Sequence, residues 1–317
     1  MAYQYWRNRG EFKKNLFVAF EHAYHGDTFG AMAAGGVEIF HSEFSGLFFE
    51  VRRARVPGGP HPRKADAQEE SPPTAEELEA ILEKEGERVA AVIMEPMVQA
   101  AGGMIVWPVE FLRHVREVTQ HHGIPLIADE VFTGFGRTGK MFACQHGPIE
   151  PDLMCLSKAL TGGYLPLAAT LASEDIYQSF LSKDRRKTFF HGHSYTGNAL
   201  ACAVALESLA VLEETRSLDR VMELEGLFTQ RLEQLQSVPV VEEVRGIGAL
   251  GVVELSTQGK SGYLDERGPR LAEAFLERGI LLRPLGNVLY FLPPYVITDE
   301  EAHSVFDAIE DILKKIK

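Results

Sequence analysis

Three apolar runs in this chain end in groups that can move protons or form bonds. Arg88–Met94 (RVAAVIM) is followed by Glu95, Pro125–Ala128 by Asp129 and Glu130, and Asp152–Leu156 by Ser157 and Lys158. In a parallel sheet the carboxyl ends of the strands open onto the ligand crevice. A carboxylate and an amine 29 residues apart, Asp129 and Lys158, would then face one crevice from different strands. Each alone is an ordinary polar terminator of a buried strand. Together they fit pyridoxal phosphate chemistry, which needs a lysine to form a Schiff base and an acid to keep the ring nitrogen protonated. Lysine attacks a carbonyl only as the free amine, so a desolvated setting suits the role. The run after Lys158 (ALTGG) is a small-residue turn that lets a cofactor approach the backbone.

Other spacings compete with this reading and fit less well. Gly134, Gly136, Gly139 and Lys140 (GFGRTGK) have the spacing of a phosphate-binding loop. Met141 stands where the magnesium-binding hydroxyl belongs, and Asp129 and Glu130 would repel a nucleotide's phosphates. Gly246, Gly248 and Gly251 (GIGALG) match a dinucleotide fingerprint, but the following VVEL is strand-like, whereas that turn must feed a helix. A hairpin is expected there. His191 with His193, and His121 with His122, could reach a metal, yet no third ligand stands at a suitable spacing, so no metal is expected.

The elements that must position these groups follow an α/β pattern. Strands are expected at Asn15–Phe20 and at the three runs above, and helices from Pro108 to Gly123, over Asn198–Glu213 and over Leu218–Gln236. Thr74 with Glu77 forms a capping-box pattern, and Gly58–Pro73 is a polar, proline-rich loop. Past Pro239 the texture changes: strands at Val240–Arg245, Ala249–Leu255, Ile280–Arg283 and Val288–Leu292, helices at Gly268–Arg278 and Thr298–Ile316. The expected division is a large α/β domain over 1–215 with a central, mostly parallel sheet, and a smaller α+β lobe over 216–317. With 317 residues, 45% of them hydrophobic, the chain has material for one large core or two. Its 32 Lys and Arg against 45 Asp and Glu give a formal charge of -13, which argues against nucleic acid or an anionic membrane as partner. Three scattered cysteines and the lack of a long apolar run or signal pattern point to a cytoplasmic enzyme or binding protein.

The runs EHAYHGDTFGAM, EPMVQAAGGM, LIADEVFTGFGRTGK, PDLMCLSKALTGG and HGHSYTGNALACA resemble the class III aminotransferases of pyridoxal phosphate fold type I. Within the class they look most like the biotin-pathway branch. That branch moves an amino group from S-adenosylmethionine, or in some relatives lysine, to 8-amino-7-oxononanoate to give 7,8-diaminononanoate. The resemblance implies that Lys158 carries the cofactor and shuttles the substrate proton, and that Asp129 pairs with the pyridine nitrogen. Val131 and Tyr24 would pack the two ring faces, with Tyr24 also reaching substrate. Ser194 would bind the phosphate of a partner subunit's cofactor, making a homodimer with shared active sites. Gly192 would line the substrate tunnel, Arg283 would bind the substrate carboxylate, and Glu95 would support the site. Asp27 matches an aspartate typical of the biotin branch. The rival within the class is an ornithine, 4-aminobutyrate or ω-amino acid:pyruvate aminotransferase.

Members of the resembled class carry more than a hundred residues ahead of the point matching Met1, including the turn that grips the cofactor phosphate. An inactive fragment is therefore a further expectation, and weak cofactor binding follows from the loss of a helix N-terminus as anion site.

Overall fold

A computed structural model describes residues 1–56, 75–257 and 262–316. They gather into two compact units: Met1–Gly134 with Phe142–Ala210, and Phe135–Met141 with Val211–Lys317. The sequence reading drew one division at 215/216. By contact it falls at 210/211, and one segment of the first half is counted with the second unit. Thr74 and Gly58–Pro73 lie outside the described residues.

The first unit contains α1 (Ala2–Asn8), β1 (Leu16–Phe20), α2 (Phe29–Ala34), α3 (Glu38–His41), β2 (Val51–Ala54), α4 (Glu76–Glu85) and β3 (Val89–Met94). There follow the short antiparallel pair β4 (Val98–Gln99) and β5 (Ile105–Val106), then α5 (Val109–His121), β6 (Leu126–Asp129), β7 (Leu153–Leu156), β8 (Ala169–Ala172) and α6 (Glu174–Gln178). Helix α7 (Ala199–Glu214) begins in this unit. The large sheet has the order β2-β1-β3-β6-β7-β8. Every neighbouring pair is parallel except β7 with β8. The central mostly parallel sheet expected from sequence is therefore present.

Strands β1, β3 and β6 are buried at nearly every position. Parallel strands with both faces covered read as unbroken apolar runs for that reason, and these runs were legible. Helix α5 buries Phe111, Leu112, Val115 and Val118 along one stripe; Pro108 is its N-cap and Gly123 stops it at φ 62°. Phe111 and Trp107 pack on Phe20 at the end of β1, with ring centroids 5.6 and 6.0 Å away. Helix α1 packs Tyr5 and Trp6 against Ala90 and Ala91 of β3, and the indole N–H donates to the Ala90 carbonyl at 2.7 Å. Strands β2 and β8 escaped the sequence reading. They are four-residue edge strands with partly exposed patterns, too short to show a period.

The second unit contains α8 (Ser217–Leu235), β9 (Val241–Ile247), β10 (Leu250–Leu255), α9 (Arg267–Leu276), β11 (Val288–Phe291) and α10 (Asp299–Leu313). Its antiparallel sheet has the order β11-β10-β9. Thr298 and Glu301 form a reciprocal capping box at the start of α10. Ile280–Arg283 is not a strand. Ile280 and Leu282 pack on the core while Leu281 and Arg283 are exposed, so the alternation is real, but the segment has no ladder partner among the described residues.

Both glycine motifs find their explanation in this unit. Arg137 of the GFGRTGK segment donates through Nη1 to the carbonyls of Ala249 and Pro293, each at 3.0 Å, and its guanidinium lies 4.6 Å from the Tyr295 ring centroid. Gly248, in the β9–β10 hairpin turn, sits so close that an added Cβ would fall 2.5 Å from the Arg137 carbonyl oxygen. Only a four-residue 3₁₀ turn, Ala143–His146, follows Lys140 closely, so the segment does not feed an α-helix whose N-terminus could hold a phosphate. The two motifs pack on each other instead.

Phe228 anchors the core of this unit. It stacks on Phe291 (5.1 Å, 16° between planes) and meets Phe306 edge-on (5.1 Å, 83°). Phe228→Ala should lower stability by about 3–5 kcal/mol. Chemical denaturation followed by circular dichroism checks this; an unchanged midpoint would contradict the assigned core.

Candidate active site

Strand order brings the chemistry-bearing residues together. β1, β3, β6 and β7 are neighbours running the same way, so their carboxyl ends share one edge of the sheet. His22–His25 follow β1, Glu95 follows β3, Asp129 closes β6, and Ser157 and Lys158 follow β7. Asp129 is directly paired with Cys155, three residues before Lys158. The carboxylate and the amine therefore stand at adjacent strand ends of one unit.

Asp129 is buried, with one partner on each carboxylate oxygen and acceptor capacity left over. Its Oδ2 lies 2.7 Å from His25 Nδ1, and its Oδ1 accepts from the Val131 backbone N–H at 3.1 Å. The His25 side chain is itself buried, and its Nε2 has no hydrogen-bond partner among the described residues. Sequence reasoning missed this histidine. It lies inside the quoted YHG run, but 104 residues separate it from its partner, and nothing in local spacing connects them.

The segment carrying Tyr24 and His25 is clamped from several sides. His22 has a positive φ of 62°. A Cβ at Gly36 would lie 2.7 Å from the His22 nitrogen, and one at Gly102 would collide with the His22 carbonyl, so only glycine permits these close passages. Glu95 adds the last hold: Oε1 accepts from the Tyr24 N–H at 2.9 Å and Oε2 from the Ala100 N–H at 3.1 Å. Burial pushes the Glu95 carboxyl up to about 7; nearby His25 and the two N–H donors oppose this, and Asp129 adds to it. Its expected supporting place is thus explained by two backbone hydrogen bonds.

Tyr24 is half-buried. Burial and a hydrogen bond with Asp27 raise its phenol above the ordinary range. Its ring stacks on His41 (5.8 Å, 16°) and meets Phe40 edge-on (5.9 Å). Asp27 is exposed, with Oδ1 3.3 Å from His41 Nε2. Lys158 has a positive φ of 47° and heads a short 3₁₀ turn ending in Gly162, with its ammonium 5.6 Å from the Phe132 ring centroid. Its side chain is exposed.

Among the described residues, the remaining predicted ones make no hydrogen bond, ion pair or ring contact with these side chains. Gly192 and Ser194 sit in an exposed loop of the first unit, and a Cβ at Gly192 would meet nothing. Ser194 does not cap α7; Asn198 Oδ1 does, accepting from the N–H groups of Leu200 and Ala201. Arg283 belongs to the second unit, where its Nη2 donates to the Tyr263 hydroxyl at 2.9 Å. Among the described residues no helix is long and apolar enough to cross a membrane.

Residues 1–313 match the family described as aminotransferase class III. An adenosylmethionine-8-amino-7-oxononanoate aminotransferase of Geobacter sulfurreducens is 44% identical over 98% of this chain and 70% of its own length. The enzyme of that name from Synechococcus elongatus is 45% identical over 100% of this chain and 73% of its own. The crystal structure of the enzyme of that name from Methanocaldococcus jannaschii superposes with a TM-score of 0.90 at 37% identity, covering 100% of this chain and 72% of that one.

The buried carboxyl of Glu95 generates a pH prediction. Its folded pKa of about 7 lies above the ordinary 4.5, so between these values the folded state holds a proton that the unfolded state has lost. Stability should therefore fall as pH rises through that window and level off above it, by on the order of 2–3 kcal/mol. Glu95→Gln keeps the acceptor for one N–H and sacrifices the other, a constant offset. Thermal melts from pH 5 to pH 8 should show a flatter profile for the variant; parallel profiles would refute the assignment.

Proposed function

Because this chain belongs to the class III aminotransferases, we propose that it transfers an amino group from S-adenosylmethionine to 8-amino-7-oxononanoate, giving 7,8-diaminononanoate for biotin synthesis. The observation that carries the reading is that Glu95, Asp129 and Lys158 stand at neighbouring ends of one sheet edge, with Tyr24 hooked to Glu95. The relatives named above supply the substrates. The enzyme depends on pyridoxal 5′-phosphate.

The residues present fit that group. A buried carboxylate locked by His25 suits the pyridine nitrogen, an exposed primary amine at the neighbouring strand end suits its aldehyde, and Tyr24 and Val131 suit its two faces. When bound, the cofactor supplies an electron-poor ring that stabilises negative charge on the substrate carbon. Asp129 holds a proton at the ring nitrogen and keeps that ring cationic. His25 keeps the carboxylate pointed, through Nδ1. Lys158 removes the proton from the substrate's amine-bearing carbon and returns one on the reverse path, as general base and acid. Tyr24 and Asp27 meet the substrate, Arg283 binds its carboxylate by a bidentate fork, and Gly192 leaves room for its passage.

We assign the working form as a homodimer in which Ser194 serves the partner's cofactor phosphate. Support comes from the exposed apolar side chains on the same stretch of the first unit: Tyr164, Phe190, Tyr195, Leu200 and Leu206. The acidic, cysteine-poor composition supports a cytoplasmic setting.

Asp129→Asn should lower turnover at least about 100-fold, the scale of a lost proton-holding group, with folding intact. In an acceptor panel, 8-amino-7-oxononanoate should receive the amine while pyruvate and 2-oxoglutarate do not. Equal transfer to the keto acids would favour the ω-amino acid or ornithine reading.

A further inference from the structure

We infer that His41 is a positioning residue for the cationic end of a substrate: it holds the Asp27 carboxylate through Nε2 and supports the Tyr24 ring from behind. This rests on the proposed transamination, in which both S-adenosylmethionine and 8-amino-7-oxononanoate carry an ammonium group.

The geometry is specific. His41 ends α3 and is buried, at 4% exposure, although its hydrogen-bond partner Asp27 is an exposed carboxylate. A buried ring bonded to an exposed carboxylate restrains that carboxylate from beneath while its remaining acceptor positions stay open to solvent. The Tyr24 phenol stands near the same carboxylate, which helps raise the phenol above its ordinary range. Asp27 is thus held by His41, whose ring is itself stacked on Tyr24 at 5.8 Å, with Phe40 edge-on to both. Fixing a carboxylate in this way lowers the entropy cost of meeting a cation.

The imidazole also shows that its place is set for this contact. Its Nδ1 is buried without a hydrogen-bond partner among the described residues. The backbone at Gly35 crowds that side of the ring, where a Cβ would lie 3.1 Å from Nδ1. A neutral imidazole has one donor and one acceptor nitrogen. An unpaired lone pair at Nδ1 with the proton on Nε2 directs the ring's only N–H to Asp27. A phenylalanine would keep the ring stack without a buried unpaired nitrogen, so stacking alone does not call for histidine here.

Three readouts test this. In a long-range ¹H–¹⁵N spectrum of the histidine-labelled chain, His41 should be the Nε2–H tautomer, and Asp27→Asn should move its Nε2 signal. His41→Phe should melt at or above the parent temperature, because stacking is kept. In the cofactor-loaded enzyme, that variant should raise KM for the donor or the acceptor about tenfold, the scale of one charged hydrogen bond, with kcat held within about twofold. The substrate whose KM rises is the one whose ammonium Asp27 meets. His41→Gln, which retains an N–H near the Nε2 position, should stay within about threefold of the parent. A Nδ1–H tautomer, an unmoved signal in Asp27→Asn, unchanged KM for both substrates in His41→Phe, or equal losses in the Gln and Phe variants would each overturn the inference. A chain without any transamination would contradict the proposed function instead, and the histidine spectrum would then decide this inference by itself.

Discussion

The hydrogen bond between His25 and Asp129 is the contact on which the rest of the site depends. A buried carboxylate is costly unless polar partners surround it. Asp129 has two, the His25 ring and the Val131 N–H, and both come from segments whose course is fixed by something else. Val131 is held by its place two residues past the end of β6. His25 is held because the loop after β1 is threaded between Gly36 and Gly102 and hooked to Glu95. Removing any of these holds would loosen the histidine before it loosened the aspartate. The neighbouring carboxyl of Glu95 is the compromise in this arrangement: it is buried to hold Tyr24, and burial makes its charge expensive.

A parallel sheet explains why such distant residues meet. Tyr24, Glu95, Asp129 and Lys158 are spread over 135 positions, yet strand order places them at consecutive ends. Side chains beyond those ends are carried by loops, so they can vary in chemistry while the strands fix their origin. Lys158 illustrates this: a positive φ and the glycines that follow set its direction, while β7 sets its height.

Much of this was legible in sequence, for identifiable reasons. Continuous apolar runs such as Val89–Met94 announce buried parallel strands, and a polar residue directly after the run marks the strand end. That rule found Glu95, Asp129 and Lys158. It could not find His25, whose partner lies 104 residues away, or His41, which ends a short helix and not a strand. It misread Ile280–Arg283, because alternation records which side chains are buried and not whether a ladder partner exists. The glycine motifs carried no ligand signal; Gly248 and the Arg137 segment need closeness to each other.

The central claim is that the amine of Lys158 meets the cofactor whose ring nitrogen Asp129 holds. Borohydride reduction of the chain at saturating pyridoxal phosphate, followed by peptide mass mapping, tests it directly. The account predicts one pyridoxyl group, on the peptide containing Lys158, and its loss in Lys158→Ala. Labelling spread over surface lysines, with Lys158 no more reactive than the rest, would contradict it.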